Sequence, residues 1–158
     1  MSPDTDVQYD ERLRVPLRWW VQATMFLASI WLAFVVALPA AVAWGATAVL
    51  TLATVALFLG YGAVRVRVVA GELWAGRAHI PVTWLSSPEP LDAERTRLLA
   101  GRNADARAYH LLRPYVKRSL RVDVDDPADP APYWLVSTRR PDALAEALSA
   151  AKAGRAQA

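Results

Sequence analysis

The side chains able to do chemistry are unevenly spread along the 158 residues. Four aspartates, Asp123, Asp125, Asp126 and Asp129, crowd one short stretch. Asp125-Asp126-Pro127-Ala128-Asp129 matches in outline the DDxxD pattern that holds magnesium diphosphate in prenyl-transferring enzymes. That pattern needs a helix to bring its carboxylates to one face, and Pro127 and Pro130 break helices. A calcium loop of the EF-hand kind needs a central glycine and a distal glutamate, and both are missing. The stretch therefore reads as a Pro-Asp turn whose carboxylates cap nearby N–H groups. The only two histidines, His79 and His110, are far apart, and no His/Asp/Glu cluster has the spacing of a metal site. Ser137 lacks a nucleophile elbow, and no glycine-rich phosphate loop exists. Cysteine is absent, which excludes disulfides, thiolate nucleophiles and cysteine-ligated metals. These residues predict no catalytic, cofactor-binding or metal-ligating set, hence a protein that is not an enzyme.

Arginine is the stronger lead. The chain has 18 basic and 15 acidic residues, a net charge of +3. Arg95, Arg97, Arg102, Arg107, Arg113, Lys117, Arg118, Arg121, Arg139 and Arg140 can form one basic patch. A solvated, locally paired surface is one reading of them. A face toward anionic lipid is the second, since basic residues near a charged leaflet are each attracted to it. Nucleic acid is excluded as a partner, because no stacking array or nucleic-acid motif accompanies the charge. Arg107, Arg139 and Arg140 are the candidate interaction residues, the last two at the junction of a strand and a helix.

What holds these residues in place begins with a gap in the charge. From Trp19 to Val64 there is no Asp, Glu, Lys, Arg or His. One helix of that length would extend about 70 Å at ~1.5 Å per residue, against a bilayer core of about 30 Å. Two spans fit instead, Trp19–Leu38 and Gly45–Val64, with a turn at Pro39 and the small residues after it. Arg12, Arg14 and Arg18 precede the first span, and Arg65 and Arg67 follow the second. Positive flanks stay in the cytoplasm, so the chain is expected in the cytoplasmic membrane, multi-pass, with both termini cytoplasmic. Trp19, Trp20 and Tyr61 suit an inner aromatic belt, and Trp44 an outer one. Trp31 is expected to pack on the second span or on lipid. Ala41-Val42-Ala43 resembles a signal-cleavage site, but the acidic leader (Asp4, Asp6, Asp10, Glu11) argues against cleavage.

The division expected is thus a cytoplasmic N-terminal segment (1–18), the transmembrane hairpin (19–64), a cytoplasmic β domain with a C-terminal helix (65–153) and a frayed tail (154–158). Val64, Val66 and Val68 alternate with Arg65 and Arg67 as in a half-buried strand. A turn at Ala70-Gly71-Glu72 leads to a second strand over Leu73–Ile80, and a third short strand covers Pro81–Leu85. Ser86–Pro90 reads as a loop by its breakers. Asp92–Ala100 is a short helix with Gly101 as its stop. Strands follow at Ala108–Leu112, Ser119–Val124 and Tyr133–Thr138. Pro141 then opens a helix with Leu144, Ala147, Leu148 and Ala151 on one face. A helix with one apolar face must cover a sheet. The fold class is therefore an α+β membrane protein, a two-helix hairpin followed by a small antiparallel β domain. Strands closed by a C-terminal helix look like the pleckstrin-homology-like folds.

Three clusters carry a further likeness. Tyr9, Glu11, Arg12 and Leu13 precede Trp19-Trp20. Gly101, Ala104, Asp105, Arg107 and Ala108 lie mid-domain. The third runs from Asp126 through Pro127, Ala128, Asp129, Pro130, Ala131, Pro132, Tyr133 and Trp134 to Pro141. In these the chain resembles an uncharacterised family of small actinobacterial membrane proteins, domain of unknown function 3093, over nearly its whole length. The resemblance implies two membrane spans and brings no activity, cofactor or catalytic residue with it. The function expected is a membrane-anchored, non-enzymatic interaction module, integral to the lipid bilayer, that binds a protein partner or anionic lipid headgroups. Its alternatives are an accessory subunit of a larger membrane complex and an enzyme on membrane-associated substrates.

Overall fold

The structure, a computed structural model, describes residues 7–156. Asp4 and Asp6 of the leader, and the last two residues of the expected tail, lie outside them. The chain divides into two units. Arg14–Ala63 forms one; the residues before and after it form the other.

The first unit is a helical pair, α1 (Leu17–Ala37) and α2 (Ala40–Tyr61). Both helices are long and apolar enough to cross a membrane. The turn falls at Pro39, as its backbone predicts, but it is tighter than expected. Ala40, Ala41, Ala43 and Gly45 are helical, so the second helix spans Ala40–Tyr61 and not Gly45–Val64. Alanine is the best helix former, and Pro39 stands at the N-cap, where its missing N–H costs nothing. The helices meet through Trp20 against Phe58 (centroids 5.0 Å apart) and Trp31 against Trp44 (5.3 Å). Every serine and threonine in them, Thr24, Ser29, Thr47, Thr51 and Thr54, donates its hydroxyl to the carbonyl four residues back, at 2.8–3.0 Å. No side chain of α1 is buried, and Ala43 alone is in α2; Val36 is 84% exposed and Leu52 70%.

The second unit holds two four-stranded sheets. The first has the order β1-β2-β3-β4, all antiparallel: β1 (Val7–Arg12), β2 (Arg65–Val69), β3 (Glu72–Ala75) and β4 (Ala78–Pro81). Strand β1 is the main departure from expectation. The segment read as lying apart is an edge strand of the sheet, with Glu11 opposite Val66 and Arg12 opposite Arg65. The expected strand Leu73–Ile80 is two strands, because Gly76, at φ 68°, allows a tight reversal. The β2–β3 turn uses Ala70 (φ 51°) and Gly71 (φ 69°), the paired positive φ of a type I′ hairpin.

The second sheet has the order β5-β7-β8-β6: β5 (Leu85–Leu91), β6 (Tyr109–Leu111), β7 (Ser119–Val124) and β8 (Tyr133–Ser137). It is mixed, not wholly antiparallel, since β6 runs parallel to β8. The expected third strand at Pro81–Leu85 is a 3-10 turn over Val82–Trp84. The stretch Ser86–Pro90, expected as a loop, lies within β5 despite Pro88 and Pro90. Strand β5 is an edge strand whose pairing with β7 slips between Ser86 and Glu89, and edges and bulges are where proline's missing donor is tolerated. Between β5 and β6 lies α3 (Ala93–Ala100), capped by Asp92, whose Oδ1 accepts the Arg95 N–H at 2.8 Å.

Helix α4 (Pro141–Ala156) packs on β1, β2, β5 and β7, and so on both sheets. Leu144 is fully buried and Leu148 and Ala151 nearly so. The helix runs past Gly154, where fraying was expected. Lys152 Nζ donates to the Leu85 carbonyl (2.6 Å) and the Arg155 guanidinium to that of Ala70, which fixes the last turn. Leu13, Val66, Val68, Leu73, Leu120, Val122, Leu135 and Val136 are fully buried as well.

Candidate functional site

From Tyr9 onward the side chains alternate: Asp10 and Arg12 are exposed, while Tyr9 and Glu11 on β1 and Leu13 just after it are buried. Glu11 is a carboxyl group at 6% exposure, and a buried carboxyl needs partners. It has three. Tyr9 Oη donates to Oε2 at 2.6 Å, Thr138 Oγ1 donates to the same oxygen at 2.6 Å, and the Arg139 N–H donates to Oε1 at 3.1 Å. The Tyr9 and Thr138 oxygens lie 2.9 Å apart, and Thr138 Oγ1 also accepts the Arg140 N–H at 3.0 Å. Burial, then the bond to Glu11, pushes the Tyr9 phenol up to about 12. This network joins the first strand of one sheet to the end of β8 and the start of α4. Sequence reasoning passed over it. The signal was one acid at an inward position of an alternating stretch, Tyr9-Asp10-Glu11-Arg12-Leu13.

The expected interaction residues fall at two places. Arg139 and Arg140 are exposed and follow β8, their backbones held by Glu11 and Thr138. The Arg140 guanidinium lies 5.5 Å from the centre of the Tyr9 ring. Arg107 precedes β6, where Tyr109 is opposite Trp134 and Leu111 opposite Val136 in parallel. Arg107 is thus level with the start of β8, whereas Arg139 and Arg140 follow its end. A strand's length, at about 3.3 Å per residue, separates them. Arg107 also chelates Asp105, with Nη2–Oδ2 at 3.1 Å and Nε–Oδ1 at 3.3 Å. Those bonds hold the Asp105 carboxyl below the usual carboxylate range.

Several other members of the expected patch are tied to nearby acids. Arg95 pairs with Glu89 (3.0 Å), Arg118 with Asp142 (3.2 Å) and Arg121 with Asp123 (2.9 Å). Arg121 also lies over the Tyr133 ring at 4.6 Å. An open groove of about 210 Å³ beside α3 includes Arg95 and Arg121 in its lining, both already engaged in this way. Exposed pairs of this kind contribute little to stability, but they reduce the charge offered to a partner.

The acidic loop behaves as its prolines predict. Asp126 Oδ1 accepts the Ala128 N–H at 2.8 Å, and Asp129 Oδ1 that of Ala131 at 2.9 Å. Ser137 Oγ accepts the Arg113 N–H at 2.9 Å. His79 stacks on Trp74 (centroids 4.4 Å, planes 16° apart), while His110 lies on β6 with its ring centre 6.2 Å from that of Tyr133. Among the described residues no three of His, Asp and Glu gather as metal ligands would. The mid-domain segment touches the last one as well, through the Asp105 N–H and Tyr133 Oη at 3.2 Å.

Over residues 8–148 the chain matches a family described as a protein of unknown function (DUF3093). No curated protein and no solved structure matches it.

Proposed function

The chain belongs to that family of unknown function, and from this premise we propose that it is a membrane-anchored, non-enzymatic interaction module. In this reading α1 and α2 insert as a hairpin into the cytoplasmic membrane, with both termini in the cytoplasm. The β domain is presented at the inner face, where it binds a protein partner or anionic lipid headgroups.

One observation carries the membrane part. Two long helices leave many large apolar side chains uncovered while every serine and threonine hydroxyl on them turns back onto its own helix. In water such a surface is strongly unfavourable, at about 25 cal/mol per Å². In a bilayer it is the solvated state, and the inward hydroxyls meet the rule that polar groups there be satisfied internally. The flanking Arg12, Arg14, Arg18, Arg65 and Arg67 support the orientation.

Two sheets covered by a C-terminal helix support a pleckstrin-homology-like outline for the domain, from which the parallel β6–β8 pair departs. The non-enzymatic reading is supported by what the chemistry-bearing side chains do. Asp126, Asp129 and Ser137 accept local N–H bonds, and Glu11 closes the network that fixes Arg139 and Arg140. Crosslinking in cells, gentle solubilisation and identification of what co-purifies tests the module. The full chain is expected to retain a partner or anionic lipid that Arg139→Glu with Arg140→Glu weakens. Identical recovery from both variants would remove these arginines from the binding surface.

A further inference from the structure

We infer that the arginine-rich end of the first sheet is a binding face for the phosphate of anionic phospholipid headgroups. The inference rests on the membrane reading above and names a different set of residues from the one singled out there.

The strand register builds this face. Arg12 on β1 is opposite Arg65 on β2. The next row on that face, two residues along, sets Asp10, Arg67, Trp74 and His79 side by side across all four strands. Arg12, Arg65, Arg67 and His79 are exposed, whereas the residues alternating with them, Val66, Leu73 and Ile80, are buried. The outer face is therefore the polar one. The β3–β4 turn, with exposed Arg77, returns to the same end, since the Gly76 N–H donates to the Arg65 carbonyl at 2.9 Å. Four arginines thus share the two end rows and the adjoining turn, with Asp10 the one carboxylate there among the described residues.

These arginines differ from four of those elsewhere on the domain. Arg95, Arg107, Arg118 and Arg121 are each bonded to an acid. Arg67 instead lies over the Trp74 ring, 5.2 Å from its centre, with His79 stacked beside that ring. Tryptophan prefers the headgroup level of a bilayer, where one edge is apolar and the other wet. Guanidinium groups bind phosphate in a fork geometry. The connections put this end within reach of such a surface: only residues 13–16 separate Arg12 from α1, and only residues 62–64 separate Arg65 from α2. A bilayer that holds the helices brings its own anionic headgroups to these charges.

The test is native mass spectrometry of the full chain in detergent, titrated with phosphatidylglycerol or phosphatidylcholine, with the membranes first washed in alkaline carbonate. The wild type is expected to stay in the washed membranes and to retain phosphatidylglycerol in preference. Arg65→Gln, Arg67→Gln and Arg77→Gln are each expected to weaken that retention roughly fivefold, the effect of one basic residue at a charged surface. Arg95→Gln, which removes a residue bonded to Glu89, is expected to leave it unchanged. Inorganic phosphate at matching concentration is expected not to displace the lipid. Equal retention of the two lipids, undiminished retention by the three variants, or displacement by free phosphate would each overturn the inference. Release of the chain by carbonate would overturn the membrane reading and this inference with it.

Discussion

Glu11 is one of the residues that tie the two sheets together. Its carboxyl group accepts from Tyr9, Thr138 and the Arg139 backbone in a buried setting. Glu11→Ala strands those donors, and an unmade buried hydrogen bond costs about 1–3 kcal/mol. A loss of at least about 3 kcal/mol is expected in urea unfolding of the detergent-solubilised chain, with Glu11→Gln milder because one acceptor oxygen survives. Tyr9 adds a pH signature. Its phenol is pushed up to about 12 when folded, against about 10 in an unfolded chain. The folded state therefore holds this proton more tightly. The contribution is full below pH ~10 and lost as pH rises through 12. Melting temperature followed across that window is expected to fall, and Tyr9→Phe to flatten the fall. An equal fall in the variant would assign it to other groups.

Among the elements, α4 closes the domain by packing on both sheets. Leu144, fully buried on its inner face, is expected to cost about 2–5 kcal/mol when cut to alanine. Equilibrium denaturation checks this, with the exposed Ser149→Ala as a neutral comparison. This helix was legible in sequence from its proline start and its apolar spacing, as were α3 from its glycine stop and β7 from a strict alternation. What was not legible depended on partners far along the chain. Strand β1 reads as a short charged leader until β2, more than fifty residues later, supplies its hydrogen bonds. Prolines 88 and 90 read as breakers until β5 is known to be an edge. The parallel β6–β8 pair has no local signature, because register and direction are settled by which strand lies alongside. The basic residues were visible individually, but which of them pair with an acid needed the fold. The same holds for Glu11, whose partners Thr138 and Arg139 sit at the other end of the chain.

For the whole molecule, the composition divides in two: an apolar helical pair charged only at Arg18, and an ordinary charged β domain built from segments on both sides of it. Phe26, near the middle of α1 and exposed, is a suitable probe of the first. Phe26→Arg places a charge where the bilayer centre would be, at about 2.5–3.5 kcal/mol on insertion scales. A lower carbonate-resistant fraction is expected, while Phe26→Leu leaves it unchanged. The absence of cysteine allows a cleaner experiment on location. Leu38→Cys marks the turn between the helices and Thr83→Cys the β domain, each the only thiol in its chain. With a membrane-impermeant maleimide on intact cells, Leu38→Cys is expected to label and Thr83→Cys to label only after lysis. Labelling of Thr83→Cys in intact cells, or of neither site before lysis, would contradict a hairpin that holds the β domain at the inner face of the membrane.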